Sequence, residues 1–360
     1  TEQFEAIFSD ARAEFRVRER GFDAHTEIVV SPEDDIELRR THITNSSRAR
    51  RTIELTSYAE VVLAPAIADT LHPAFSKLFV QTELVPELQA IVCSRRPRSR
   101  DEHTPWMCHL LAVHNAGIDE ISYETDRARF IGRDRDLAAP QVLDAGCARL
   151  SDSQGSVLDP VVAIRCRITL EPEQSAVVDL VTGVAANRAG CLQLIGKYRD
   201  RNLADRVFDL AWTHSQVLLR QLNASLADAQ LYEHMATAIV YPNAQLRAGA
   251  GVLRANRRGQ SGLWGQSISG DLPIVLLRIG DLAHIELVRQ LVRAHAYWRL
   301  KGLAVDLVIW NEDRAGYRQE LHDQIMGLIT SGSEANLLDH GGGVFVRAAQ
   351  QLSHEDRMVV

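Results

Sequence analysis

Cysteine is scarce and scattered. The five cysteines (Cys93, Cys108, Cys147, Cys166 and Cys191) form no CxxC pair, which fits a reducing compartment and neither a disulfide framework nor a zinc knuckle. No HxH or HExxH motif and no Cys/His cluster accompanies the histidines, so no metal is assigned. The chain also lacks a GxSxG elbow, a Walker pattern and a dinucleotide glycine fingerprint. Gly341-Gly342-Gly343 precedes a strand-like run, the wrong order for a phosphate cradle opening a helix. Positive charge is not in excess. A formal net charge of −7 argues against nucleic acid or an anionic membrane as the main partner. No signal peptide is visible in these residues, nor an internal repeat, a low-complexity tract, or an apolar run near the ~20 residues of a membrane span.

What remains is ordinary for a globular chain: 360 residues, 46% hydrophobic and 24% charged, enough for two domains and a large core. Residues 1–182 read as β. Ile36 and Leu38 alternate with Glu37 and Arg39, and Ile53 and Leu55 with Thr52, Glu54 and Thr56. Val162, Ile164, Cys166, Ile168 and Leu170 fall on one face, with Arg165, Arg167, Thr169 and Glu171 on the other. Period two with one wet face marks an antiparallel sheet on a core. Turn signals at Ser31-Pro32-Glu33-Asp34-Asp35 and Asn45-Ser46-Ser47 separate the runs, with no helical pattern between them, which predicts a large sandwich.

The period then changes. Leu203, Val207, Leu210, His214 and Val217 recur at helical spacing within residues 187–222, and a second helix over 228–240 ends at Tyr241-Pro242. A long amphipathic helix is predicted over 281–300, with Leu282, Ile285, Val288, Val292 and His295 on its stripe and Lys301-Gly302 closing it. Val305–Trp310 reads as a buried strand, Tyr317–Ile329 as a helix, Gly341–Val346 as another strand, and a last helix begins near His354. The division expected is a β-sandwich over 1–182, connecting helices over 183–260, and a further helical domain with a small α/β excursion over 261–360.

The densest knot of unusual residues is Leu263-Trp264-Gly265-Gln266-Ser267-Ile268-Ser269-Gly270-Asp271-Leu272-Pro273-Ile274. Trp264 offers a flat apolar face beside the hydroxyls of Ser267 and Ser269, the Gln266 amide and the Asp271 carboxylate. A ring that packs on the C–H face of a pyranose, with polar groups for its hydroxyls, is a sugar-binding kit. The plainer alternative is a helix-entry loop between upstream strand and downstream helix, with Asp271 as N-cap, Pro273 in the first turn and Trp264 in the core. In Phe130-Ile131-Gly132-Arg133-Asp134-Arg135-Asp136, Arg133 and Asp134 either reach a ligand or form a solvated, self-paired loop. The basic run Cys93–Arg100 is followed at once by Asp101 and Glu102, so local compensation competes with anion binding. His72-Pro73-Ala74-Phe75 and Trp106-Met107-Cys108-His109 each set a His beside bulky apolar residues, and the first is more often a core or turn histidine than a ligand. At Trp310-Asn311-Glu312-Asp313, Glu312 and Asp313 are adjacent and point in different directions, which favours a surface turn over two carboxylates flanking one bond.

Taken together, Thr56-Ser57-Tyr58-Ala59-Glu60, His72-Pro73-Ala74-Phe75, Phe130-Ile131-Gly132-Arg133, Leu158-Asp159-Pro160-Val161 and Ile268-Ser269-Gly270-Asp271-Leu272-Pro273 resemble the cyclic β-1,2-glucan synthase branch of the cellobiose and chitobiose phosphorylase family (glycoside hydrolase family ninety-four). The resemblance implies an α+β multidomain chain: a large antiparallel sandwich, connecting helices, and the start of an (α/α)6 barrel. It further implies a β-1,2-glucan or gluco-oligosaccharide as ligand, inorganic phosphate as the only small co-substrate with no cofactor, and a sandwich-mediated homodimer. A cytoplasmic module of a larger inner-membrane synthase is the setting it suggests, with the remaining domains of that synthase as partners.

In that family an Asp in a Trp-Asn-Asp-Gly segment is the general acid. Here Trp310-Asn311-Glu312-Asp313 carries Glu at that place and no Gly follows, and no later phosphate-binding His or Gly-rich loop precedes Val360. The expectation is therefore a piece of something longer, a glucan-handling module without turnover of its own, with Trp264, Gln266, Ser267, Ser269, Asp271, Arg133 and Asp134 as contact residues. The alternatives are a self-sufficient inverting phosphorylase with Asp271 or Glu312 as general acid, and a scaffold between domains that binds nothing.

Overall fold

The structure is a computed structural model that describes residues 3–99, 101–241, 243–313, 319–332 and 335–359. It divides into two compact units, Thr1–Ser215 and Gln216–Val360. No helix among the described residues is long and apolar enough to cross a membrane.

The first unit starts with strands β1 (Gln3–Ser9), β2 (Arg12–Glu19), β3 (Phe22–Val30), β4 (Ile36–Asn45), β5 (Arg51–Thr56) and β6 (Ala59–Glu60). Helices α1 (Ala66–Leu71) and α2 (Pro73–Lys77) follow, then β7 (Val80–Val85), β8 (Ala90–Arg95), β9 (Trp106–His114) and β10 (Ile118–Asp126). It continues with α3 (Arg127–Ile131), β11 (Pro160–Leu170), β12 (Ser175–Ala185), α4 (Arg188–Tyr198) and α5 (Arg201–Gln221), the last crossing into the second unit. Eight strands form an antiparallel sheet in the order β1-β2-β3-β4-β12-β9-β8-β7, and β10-β11-β5, with β6 on β11, form a smaller one.

Strand alternation explains the layering. Ile91, Cys93, Leu111, Ala176 and Val178 of the large sheet meet Tyr123, Val162, Ile164, Cys166 and Ile168 of the small one in one apolar cluster. Leu38, Val92, Leu110 and Val181 on the opposite face pack against Cys191, Ile195 and Tyr198 of α4 and Ala204, Val207 and Ala211 of α5. The sandwich expected from the period-two runs is present.

Three expectations need correction here. The strands are interrupted by α1, α2 and α3, each of five or six residues, too short to show a helical period in sequence. The second face of β11 is not wet along its length. Ala163 is covered by Phe130, Ile131, Val142 and Leu150, and the buried Arg165 donates to the carbonyls of Val142 (2.6 Å) and Cys147 (2.8 Å). Finally, the helix expected from 187 to 222 is two, because the Asp200 carboxylate accepts from Asn202 N at 2.8 Å and caps a new start. The buried stripe of α5 is Ala204, Val207, Ala211, Ser215 and Leu219, while Leu203, His214 and Val217 are exposed. Small residues permit the close approach that the larger apolar ones on the neighbouring face do not.

The second unit continues with α6 (Leu226–Val240), α7 (Ala250–Ala255), β13 (Ile274–Ile279), α8 (Ile285–Leu300), β14 (Asp306–Asn311), α9 (Glu320–Thr330), β15 (Val344–Ala348) and α10 (His354–Val359). The expected helix stop Pro242 and helix start Tyr317 lie outside the described residues. Strands β13-β14-β15 are parallel and in sequence order. Two crossovers in one direction put α8 and α9 on the same face, as a common hand requires. There Leu307, Ile309 and Val344 meet Val288, Val292, Leu321 and Ile325. The other face, Val308, Trp310 and Phe345, is covered by Leu263, Ile268 and Leu352. Burial on both faces is what the near-continuous apolar run of β14 encodes. The α/β excursion is therefore present, but the described residues of 261–360 form no helical pairs of a barrel. Strand β13 was missed because its six residues alternate only weakly in burial.

Candidate functional site

The Trp264 knot begins as a 3-10 turn over Gln260–Gln266 and leads directly into β13. It is not a helix-entry loop, and α7 rather than a strand lies upstream. Leu263 and Ile268 are its buried anchors. Between them the chain passes through positive φ at Ser267 (62°), and again at Gly270 (75°) just beyond. A Cβ at Gly270 would stand 2.8 Å from Gln260 Cγ and 2.9 Å from Leu263 Cδ1, so only glycine fits there. Arg347 ties the turn to the sheet through the Gln266 carbonyl (Nε 3.0 Å, Nη2 2.5 Å).

Trp264 is 64% exposed and not a core residue. Its indole N–H donates to the Ser269 carbonyl at 3.3 Å, which fixes the ring while leaving a face open. Gln260 Nε2 donates to the same carbonyl (2.9 Å) and to Asp271 Oδ1 (2.8 Å), and Ser269 Oγ accepts from Asp271 N (3.2 Å). The turn thus links Trp264, Ser269 and Asp271 through hydrogen bonds, while Gln266 and Ser267 adjoin them in the chain, Gln266 giving its carbonyl to Arg347. Beside it lies a buried carboxylate that sequence reading did not single out. Asp306 Oδ1 accepts from Gly342 N at 2.7 Å, and Oδ2 has no partner. Burial, with the Asp271 charge adding to it, pushes the Asp306 carboxyl above its ordinary value.

The other expected residues fall elsewhere. Arg133 and Asp134 belong to the first unit, are 96% and 93% exposed, and face one another at 3.9 Å. Arg135 closes their loop on Asp144 at 2.8 Å, the self-paired arrangement. Glu312 is bound to Arg278 at 2.7 Å beyond the C-terminal end of β14, and its N–H donates to the Ile279 carbonyl. Asp271 precedes the N-terminal end of β13. With six-residue strands between them at ~3.3 Å per residue, the two carboxyls are about 20 Å apart. They cannot flank one glycosidic bond.

A cleft of about 620 Å³ opens in the first unit, with Val17, Phe22, Ile53, Arg51, Glu54 and Arg167 among its walls. The Arg51 guanidinium lies 5.0 Å over the Phe22 ring, and Arg167 pairs with Glu54 (3.0 Å) and Glu120 (2.7 Å). The walls come from strands far apart in sequence, so no local motif announces it.

Similarity to known proteins bears on both units. Over 315 residues the chain is 37% identical to a cyclic beta-(1,2)-glucan synthase, NdvB, of Rhizobium meliloti. The match covers 87% of this chain and 11% of that protein, so the chain spans about a tenth of its relative's length. Among solved structures, a bacterial glucoamylase complexed with acarbose is 9% identical at a TM-score of 0.38, covering 62% of this chain and 31% of its own. A polysaccharide lyase is 12% identical at 0.32, covering 52% and 23%. Neither score is high enough to carry weight. Residues 1–201 match the family described as glycosyl hydrolase 94, supersandwich domain, and with more than half its length under that match the chain belongs to this family.

Proposed function

We propose that this chain is a carbohydrate-handling module of a cyclic β-1,2-glucan synthase. It binds β-glucan and assists chain-length control or phosphorolysis carried out with other domains, and it has little turnover alone. The observation that carries the reading is Trp264, whose indole N–H is hydrogen-bonded to Ser269 while the ring remains 64% exposed. An aromatic ring fixed in orientation with one face open can pack on the C–H face of a glucose ring. Gln266, Ser267, Ser269 and Asp271 supply donors and acceptors within the same turn. Asp271 is exposed, so nothing encloses it in the way a general acid requires.

The test is calorimetric titration of linear β-1,2-gluco-oligosaccharides into the protein, with and without phosphate, with product assayed in the same cell. The expected outcome is binding without product, weakened at least tenfold by Trp264→Ala (about 1.4 kcal/mol) with unchanged circular dichroism. Unchanged affinity in Trp264→Ala sinks the assignment. Phosphate-dependent glucose 1-phosphate would instead favour a phosphorylase, with Asp271 the first residue to replace by Asn.

A further inference from the structure

Strands β1, β2 and β3 form one edge of the large sheet and bury little. No described residue of β1 or β2 is fully buried, Val29 alone is so in β3, and Phe4 and Phe8 are largely exposed. These strands are held chiefly by their backbone ladder. On one face, however, they carry a concentrated set of metal-ligating side chains that glucan binding does not use.

The register places Glu14 opposite Glu27, and His25 opposite His42. Two carboxylates directly across a strand pair repel, yet their charges are not spread apart. Glu14 and Glu27 are only 12% and 15% exposed. The donor atoms of Glu14, His25 and Glu27 all lie within 4.8 Å of one another. His25 Nε2 is 2.9 Å from Glu14 Oε2, and His42 Nε2 approaches Glu27 Oε2 at 3.9 Å, too long for a hydrogen bond. The His25 and His42 rings stack with centroids 6.3 Å apart. Around a tetrahedral ion with bonds of about 2.0–2.2 Å, ligand atoms stand about 3.4 Å apart. Glu14, His25 and Glu27 therefore need only small rotations, with no movement of the strands, to converge on one centre, and His42, 3.9 Å from Glu27, is the next ligand within reach.

A cation already bridges the two carboxylates. Arg12 Nε lies 3.1 Å from Glu14 Oε1, and Nη1 lies 2.5 Å from Glu27 Oε1. Arg12 is 41% exposed, though its carboxylate partners are not, and Arg16 Nη2 stands a further 3.7 Å from Glu14 Oε2; ion pairs with one partner this exposed contribute on the order of 1 kcal/mol each. A chelated ion held by imidazole and carboxylate together outweighs that. We infer that Glu14, His25 and Glu27, joined by His42, form a site for a divalent transition-metal ion of the zinc class, which displaces Arg12 and cross-links β2, β3 and β4. The two imidazoles select against Mg²⁺ and Ca²⁺, which prefer oxygen alone. The ligands come from three strands and make no short motif, which is why the sequence assigned no metal.

The experiment uses the whole chain freed of metal by chelation, titrated with ZnCl2 by calorimetry, with hydrogen exchange followed over residues 12–45. One Zn²⁺ per chain is expected, unaffected by excess Mg²⁺, with slowed amide exchange in β2, β3 and β4. Glu27→Gln and His25→Ala should each weaken binding at least tenfold. Arg12→Ala, which removes no ligand, should tighten it, and this arm stands even if a ligand variant fails to fold. Absence of saturable Zn²⁺ binding overturns the site. So does binding that none of the three variants changes, or slowed exchange only outside these strands.

Discussion

At the scale of single residues, one of the polar bridges in the sandwich interior runs through a histidine. His109 on β9 hydrogen-bonds Ser57 Oγ through Nε2 and Thr182 Oγ1 through Nδ1, both at 2.9 Å, in a buried setting. Burial, with the Arg39 charge adding to it, lowers its pKa to about 4. A depressed histidine pKa means that the unfolded chain takes up the proton first, near 6.5. Its stabilising contribution is therefore complete above pH 6.5 and declines as pH falls toward 4, by about 1.4 kcal/mol per unit. Urea denaturation of the wild type is expected to lose about 1 kcal/mol between pH 6.5 and 5.5 from this group alone. His109→Gln should be less stable at pH 7 but flatter through that window. Parallel stability curves for the two proteins would show that His109 is not the group responsible. The sequence placed His109 beside bulky apolar residues and assigned it no metal. It could not supply the two hydroxyls, which come from residues distant in the chain.

Among the elements, legibility followed period and length. Strand β14 and helix α8 were readable because one is a continuous apolar run and the other repeats over sixteen residues. The short α1, α2 and α3 are not, and the buried stripe of α5 shares only Val207 with the one expected, because three of its five residues are the small Ala204, Ala211 and Ser215. The same limit applies to the candidate site. Trp264 and its polar neighbours sit within a few residues and could be recognised as a group, whereas the Glu14, His25 and Glu27 set is assembled only by strand register. Packing of α8 offers a direct check. Trp298 is fully buried, and its indole N–H donates to the Tyr232 carbonyl of α6 at 2.8 Å. Phenylalanine at this position removes that added hydrogen bond to a carbonyl already in the helix ladder and leaves a small cavity beside it. Trp298→Phe should therefore lower the stability of the second unit by about 2–4 kcal/mol in a denaturant titration. A loss under about 0.5 kcal/mol, the range of ordinary surface substitutions, would mean that the α6–α8 contact contributes little.

For the molecule as a whole, the five cysteines report on the first unit alone, since the second contains none. All five are free thiols. Cys93 and Cys166 lie between the two sheets, and Cys108 and Cys191 lie between the large sheet and α4. Only Cys147 is partly accessible. Burial raises the Cys166 thiol to about 11 and pushes Cys93 higher still, so neither access nor ionisation favours attack. A disulfide-exchange reagent at neutral pH should accordingly label one thiol quickly and leave four protected. Those four occupy both apolar interfaces of the unit, so local fraying at a strand edge cannot release them together. If the two interfaces open as one cooperative structure, the four become reactive with a single rate, which rises with denaturant in step with the loss of β-sheet circular dichroism. Two separate rates, pairing Cys93 with Cys166 and Cys108 with Cys191, would instead show that α4 leaves the sheet before the two sheets part. More than one fast thiol in the native protein would contradict the burial of the layers themselves.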